Sequence, residues 1–382
     1  MNFRSYEIKD ICKIKSGKRL PKGTDFSEKP TKHKYIRARD IKNGKIDGSD
    51  LGYISEEIHK KIARYIVNTN DIIITIAGTI GEVALVSKKF DGVNLTENAV
   101  RLTEFSKDVC PEFLAYILKS PERKEYMEQV AGGSAQPKLG IYKIEAIKVD
   151  LPDIQIQHKI ADILSAYDDL IENNQKQIKL LEETAQRLYK EWFVDLRFPG
   201  HENTKIVDGV PEGGSRTNIN GILTFHRGYD LTKNEMKAGR YPVIGSTSII
   251  GYHNEFKIKG PGIVTGRSGS LGKYQLVWDD FWPHNTSLYI SNYKGHNIFF
   301  VYSLLQTVDF ASLNNGGAIP TLNRNVLSNI EVIEPTDELQ EMFATITEAQ
   351  YRKIRNLEKQ NNQLKMARDA LLPKLMSGEV EV

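Results

Sequence analysis

The run Gly266 to Lys273, GRSGSLGK, has the make-up of a loop that could hold a phosphate: glycines, two serines and a lysine. A P-loop needs four residues between its glycines and a Lys followed by Ser or Thr, so that backbone amides, amine and hydroxyl converge on phosphates and magnesium. Here five residues separate Gly266 from Gly272 and Tyr274 follows the lysine, so the nucleotide reading fails. No G-x-G-x-x-G, G-x-S-x-G or H-E-x-x-H pattern is present, and the Asn-Pro-Pro-aromatic pattern of methyltransferases is missing too. The histidines lack ligand spacing. His284 beside Asn285 is the one suggestive setting, and it reads equally as a hydrogen-bonded structural residue or a functional one. The acid pairs Asp168-Asp169 and Glu182-Glu183 fall on the solvated side of a helical pattern. A nuclease with its own metal is disfavoured, because neither half has a clustered carboxylate and lysine set.

What remains is binding chemistry. KHKYIRARDIKNGK, Lys32 to Lys45, interleaves Lys34, Arg37, Arg39, Lys42 and Lys45 with Tyr35, Ile36 and Ile41, a layout that can bury one face and offer the other to phosphates. Later in the chain Arg227, Arg240, Arg267, Lys273, Asn285 and Arg324 lie in or beside expected turns, where sequence readers tend to be carried. Arg can fork onto guanine O6 and N7, and Asn onto adenine N6 and N7. Thr79, Asn98, Gln136 and Lys138 in the first half, and Ser246, Ser268, Ser270, His284 and Asn323 in the second, complete the set of candidate DNA contacts.

The elements that must position these residues are written twice. Setting Pro137 against Pro320 and continuing without gaps brings Leu139 to Leu322, Ile147 to Ile330, Pro152 to Pro335, Gln157 to Gln340 and Ala161 to Ala344. Ile171, Asn173, Leu181 and Leu188 then meet Ile354, Asn356, Leu364 and Leu371. Each half has the same order: strand-forming stretches such as DIIITIAGTIGEVALV and GPGIVTGRSGSLGKYQLVW, a glycine-rich turn, a short apolar strand ending at Pro152 or Pro335, and a long periodic segment. The chain of 382 residues, 40% hydrophobic and 26% charged, has the composition of a two-domain globular protein. Its net charge of +3 is unevenly spread: Met1 to Lys45 holds fourteen Lys or Arg against five Asp or Glu, pointing to a polyanion partner for part of the surface. Two cysteines give no disulfide framework, and the N-terminus has no signal-peptide core, so a reducing, cytoplasmic setting is expected.

The long segments read as helices. Ile160, Leu164, Tyr167, Ile171, Asn174, Ile178, Leu181, Ala185, Leu188 and Trp192 step by four and three, a coiled-coil seam of more than four heptads. The second stripe, Phe343, Ile346, Ile354, Leu357, Leu364, Leu371 and Leu375, is interrupted by Gln350 and Asn361. Asp153 and Thr336 or Asp337 can cap the starts, and Pro199-Gly200 and Gly378 mark the stops. About 40 residues make a rod of roughly 60 Å. Two repeats related by a pseudo-twofold would pair their rods antiparallel, with Asn173 and Asn356 either meeting at the centre to fix register or both facing solvent.

YPVIGSTSIIGY, VTGRSGSLGKY and FWPHNTSLYI in the second half, IAGTIGEVALV with LTENAVRL and LYKEWFVDLRFPG in the first, and the closing ARDALLPKLMSGEVEV together resemble the specificity (S) subunit of type I restriction–modification systems over nearly the full length. The resemblance implies an α+β fold of two tandem target-recognition domains, mixed and β-rich with helices, joined by two long antiparallel coiled-coil helices in a pseudo-twofold repeat. The expected divisions are a first recognition domain over 1–151, a central helix over 152–198, a second recognition domain over 199–335 and a closing helix over 336–382. It further implies a non-catalytic subunit that reads a bipartite sequence in double-stranded DNA. Two methyltransferase (M) subunits would bring S-adenosylmethionine, and restriction (R) subunits, when present, ATP and magnesium. Ile171, Asn173, Ile178, Leu181, Leu188, Trp192, Phe193, Ile354, Asn356, Leu357, Leu364, Leu371 and Leu375 are the expected helix-pair or partner interface. In this reading GRSGSLGK is a turn in a DNA reader, partly scaffold, with Arg267 and Lys273 its contacts. The competing reading is a coiled-coil adaptor with two β-rich protein-binding heads that never touches DNA.

Overall fold

The computed structural model describes residues 2–132, 137–267, 272–308 and 330–382. The chain forms two compact units, Met1–Ile171 with Gln363–Val382, and Glu172–Asn362.

Unit 1 begins with β1 (Arg4–Glu7), the one-turn helix α1 (Ile8–Ile11), β2 (Lys13–Ser16) and β3 (His33–Ile36). A hairpin of β4 (Ile41–Lys42) and β5 (Lys45–Ile46) precedes β6 (Gly52–Ile54) and α2 (Glu56–Ile62), which Ser55 caps by accepting the Ile58 amide. Then come β7 (Ile72–Thr75), β8 (Val83–Leu85), β9 (Asn94–Leu95) and β10 (Ala99–Thr103). Helices α3 (Pro111–Lys119), α4 (Pro121–Ala131) and α5 (Ile141–Glu145) and strand β11 (Lys148–Leu151) complete the globular part. A four-stranded sheet of order β2-β10-β7-β8 is antiparallel throughout, and a three-stranded sheet β6-β3-β9 contains the parallel pair β3–β9. The β-branched run of β7 is buried on both faces, as a central strand must be. Strand β1 pairs with β11 and brings the two ends of the domain together.

Unit 2 has the same plan. After the hairpin β12 (Ile206–Val207) and β13 (Val210–Pro211) come β14 (Ser215–Asn218), α7 (Ile219–Ile222) and β15 (Thr224–Arg227). Next are β16 (Tyr241–Ile244), β17 (Ile249–His253), β18 (Gly262–Gly266), β19 (Tyr274–Val277), β20 (Trp282–Pro283) and β21 (Ser287–Asn292). Helix α8 (Ile298–Thr307) and strand β22 (Glu331–Glu334) follow. The sheet orders β15-β21-β18-β19 and β17-β16-β20, and the pair β14–β22, reproduce those of unit 1 strand for strand, including the parallel contact β16–β20.

Two long helices, α6 (Ile154–Tyr189) and α9 (Asp337–Ser377), each give one part to each unit. In unit 1 Ile160, Ala161 and Leu164 pack into the main core with Leu371 and Leu375, and Arg368 is paired with Asp168, so the two segments run antiparallel. In unit 2 Ala185 shares a cluster with Ala344, Tyr351 and Ile354 while Asn174 meets Asn361, again antiparallel. The repeated Pro and Gln have one cause. Gln157, fully buried, donates from Nε2 to the Pro152 carbonyl at 2.8 Å, and Gln340 donates to Pro335 at 3.0 Å, each pinning a helix start to the strand before it. Thr336 Oγ1 accepts the Leu339 amide at 3.4 Å and so caps α9, and Gly378, with φ +76°, ends it. Helix α6 passes into a π-helical turn over Lys190–Val194, ahead of the expected stop at Pro199-Gly200.

Of the two alternatives for Asn173 and Asn356 the structure has the solvent-facing one, so neither joins the helix pair, and the α9 stripe departs from expectation at Ile346. Asn173 and Asn356 are exposed, whereas Asn174 and Asn361 are buried and bonded, Nδ2 of Asn174 donating to Oδ1 of Asn361 at 3.0 Å and to Gln360 at 3.1 Å. At 3.6 residues per turn a one-residue difference rotates a side chain by about 100°, enough to take it off the seam. Ile346 is exposed while Thr347 and Tyr351 are buried, so the α9 seam turns onto those residues. Trp192 and Phe193 lie in the core of unit 2 against Phe343 of α9 at centroid distances of 5.8 and 5.1 Å, which places them on the helix-pair side of the expected interface. Leu188 packs against the same core. Ile171, Ile354, Leu357 and Leu375 are buried, and Ile178, Leu181, Leu364 and Leu371 partly so.

Candidate nucleic-acid interface

Thr79, Asn98 and Lys138, and in unit 2 Arg227, Arg267, Lys273, His284 and Asn285, lie at the end of each four-stranded sheet where β2 and β7, or β15 and β18, run out into loops. The construction is the same in both units. Gly17 donates its amide to Ala99 O at 3.1 Å and Lys18 to Leu95 O at 2.8 Å; Gly228 donates to Ser287 O at 3.1 Å and Tyr229 to Pro283 O at 2.8 Å. Thr96 donates to Ile36 O at 3.0 Å, and His284 to Ile244 O at 2.9 Å. A Cβ on Gly17 would stand 2.0 Å from Thr96 O and one on Gly228 2.1 Å from His284 O, so the crossing of exit strand and loop requires glycine at both places. The exit of β7 is held by Ala77 N–H on Asn98 O at 3.3 Å, and that of β18 by Arg267 N–H on Thr286 O at 3.1 Å.

In unit 1 these loops border an open groove of about 340 Å³ whose walls include Ser16, Lys18, Tyr65, Glu97 and Lys138. Lys138 is exposed and Asn98 half-buried, and neither side chain meets a partner among the described residues. Thr79 is exposed in the turn between Gly78 and Gly81, whose φ values of +83° and +78° give the backbone shape expected of a glycine loop. Lys18 stands 5.9 Å and Arg64 4.9 Å from the centre of the Tyr65 ring, a cation–aromatic group absent from the sequence-based set. Arg19 Nε donates to Glu97 at 2.6 Å. Burial alone would raise the Glu97 carboxyl, but Arg19 and the Thr96 hydroxyl outweigh it and hold it below its ordinary range.

The basic run is more self-contained than its composition implied. Arg37 places Nε and Nη2 on Asp40, both at 2.9 Å, and also reaches Asp50, so its fork is taken up by the scaffold around the short helical turn Ala38–Asp40. Arg39 meets Asp50 at 3.3 Å and Lys42 meets Asp47 at 2.8 Å, but both stay exposed, and ion pairs of that kind are weak enough to exchange for phosphate. Lys45 is exposed on the adjoining hairpin, and Lys34 is half-buried on β3 with no anionic partner among the described residues.

In unit 2 Arg267 and Lys273 are exposed, their side chains unpaired among the described residues. Arg227 lies 3.4 Å from Asp230, which also accepts from the Asn285 amide. Ser246 donates to Thr286 O at 2.8 Å and ties the β16–β17 turn to the same loops. Arg240 stacks on Tyr241 at 5.0 Å and donates to its hydroxyl at 3.0 Å. His284 is structural: Nε2 donates to Leu231 O at 3.2 Å and Nδ1 accepts from Thr286 at 2.9 Å, leaving no free nitrogen for a base. Gln136, Ser268, Ser270, Asn323 and Arg324 lie outside the described residues.

Among the described residues no cluster of three or more His, Cys, Asp or Glu could hold a metal ion, and no helix is long and apolar enough to cross a membrane. Arg19, Glu97, Asp230 and Lys18 escaped the sequence reading. The signal exists, but only in a gapped comparison, because the β4–β5 hairpin and α2 have no counterpart between β16 and β18.

A specificity subunit of the MjaIX type I restriction enzyme from Methanocaldococcus jannaschii is 28% identical over 358 residues, covering 86% of this chain and 82% of the relative. A putative type I specificity subunit of Mycoplasma pneumoniae is 21% identical over 378 residues, 94% of this chain and 95% of its own. The crystal structure of a type I restriction–modification S subunit from M. genitalium superposes with a TM-score of 0.65 at 20% identity, over 98% of this chain and 96% of that one, and shares the fold. The profile of the type I restriction modification DNA specificity domain matches twice, over residues 2–183 and 214–366, one copy for each repeated set of sheets and loops, and the chain belongs to that family.

Proposed function

We propose that this chain is the DNA-reading subunit of a type I restriction–modification complex, each unit reading one half of a bipartite target. It carries no catalysis of its own. The shared helices α6 and α9 would hold two methyltransferase subunits, which bring S-adenosylmethionine, and restriction subunits with ATP and magnesium would join through them in the cytoplasm. One observation carries the reading of DNA: the same loop scaffold is built twice, each time with exposed cations at its rim, Lys18 and Lys138 in unit 1, Arg267 and Lys273 in unit 2. Phosphate contacts of this kind release counterions, so affinity must fall steeply with salt. A salt titration of the purified chain with its methyltransferase subunits on duplex DNA should give a linear fall of log K with log salt. A protein-binding adaptor would give no duplex binding at any salt.

A further inference from the structure

The repeated backbone bonds fix which residues of the two units correspond. With Gly17 matched to Gly228 and Thr96 to His284, Arg19 corresponds to Asp230 and Glu97 to Asn285. Both units join these two positions by a side-chain hydrogen bond, but with donor and acceptor exchanged. In unit 1 the donor, Arg19, is on the loop after β2 and the acceptor, Glu97, on the loop after β9. In unit 2 the donor, Asn285, is on the loop after β20 and the acceptor, Asp230, on the loop after β15. Exposed pairs of this kind contribute too little to matter for folding: the side chains of Arg19 and Asp230 are 79% and 78% exposed.

The stereochemistry assigns each pair a use. Glu97 holds Arg19 through Nε, which leaves the two Nη groups free and side by side, the edge that meets guanine O6 and N7. Asp230 holds Asn285 through one Nδ2 hydrogen, which leaves the other and Oδ1 free, the edge that meets adenine N7 and N6. In both units the acid orients and the donor presents its reading edge. Thr96 steadies Glu97 at 3.1 Å, and Arg227 lies beside Asp230.

Resting on the reading of DNA given above, we propose that Arg19 and Asn285 are specificity-determining residues at equivalent places in the two units, Arg19 reading a guanine and Asn285 an adenine, with Glu97 and Asp230 their positioning residues. The inverted pair gives two copies of one scaffold different base preferences without altering its backbone.

The test is selection of bound sequences by the full chain in its complex from a pool of randomised duplexes. Arg19→Lys keeps the charge and the pairing with Glu97 but loses the fork. It should lose preference for one guanine in one half-site by roughly tenfold or more, with the other positions unchanged. Glu97→Ala should relax that same position although Glu97 does not read it. Asn285→Ala should relax a single adenine in the other half-site. Unchanged motifs in Arg19→Lys and Asn285→Ala, or a loss spread evenly over all positions, would overturn the assignment while leaving DNA reading intact. A wild-type complex that enriches no motif would overturn the reading on which it rests.

Discussion

Arg37 and Arg267 carry the same side chain into opposite surroundings. Arg37 is clamped to the buried Asp40, and its removal would leave that carboxylate only the backbone amide of residue 37 at 2.8 Å and Arg39 at 3.9 Å. Arg37→Ala should therefore cost about 1–3 kcal/mol in urea unfolding and leave the recognised sequence unchanged. Arg267 is exposed with an unpaired side chain, so Arg267→Ala should change stability by less than about 0.5 kcal/mol. If it reads a base, the same change should relax one position of one half-site by about 1–3 kcal/mol. Equal loss on unrelated duplexes would instead make it a phosphate contact. Lys119 gives a prediction in pH. Burial lowers its pKa to about 8, Lys45 and Arg368 push the same way, and Asp168 opposes them. The unfolded chain keeps that proton to about pH 10.4, so between pH 8 and 10 the unfolded state binds more protons and stability should rise with pH. Lys119→Met should stabilise unit 1 near neutral pH by roughly 1–2 kcal/mol and flatten the rise, as read by thermal melts across that range. At this scale composition was a partial guide: the basic run was legible, but that Asp40, Asp47 and Asp50 fold back onto its cations depends on a turn and hairpin whose register no count of charges contains.

The helices were the most legible elements, because a seam of period 3.5 shows in the chain itself. Asn174 stood on that seam and Asn361 on the stripe of α9, with Asn173 and Asn356 free to face solvent as they do; what periodicity does not show is that Asn174 and Asn361 bond to each other. That pair is buried and mutually bonded, so Asn174→Leu should leave Asn361 without its donor and cost about 1–3 kcal/mol. Asn174→Leu with Asn361→Leu should recover most of that loss in chemical denaturation, and a cycle over the two positions should return a coupling energy above about 0.5 kcal/mol. The strands were readable as β-rich stretches, but not their order. The parallel contacts β3–β9 and β16–β20 join segments far apart in sequence, and insertions in unit 1 alone hide the match from any ungapped comparison.

At the scale of the whole molecule, the duplication is the fact from which function follows. Each unit has its own core, its own four-stranded and three-stranded sheets and its own set of loops, and each contains a segment of both α6 and α9. Under the proposed function each unit reads one half-site, and the helices shared between the units would set how many base pairs separate the half-sites. Inserting four helical residues into both α6 and α9 adds about 6 Å of helix, close to two base pairs of DNA. Sequencing the methylated sites in cells that carry the lengthened chain and its methyltransferase partner tests this directly. Both half-sites should remain as in the wild type with a longer spacer between them, and altered half-sites at an unaltered spacing would contradict it.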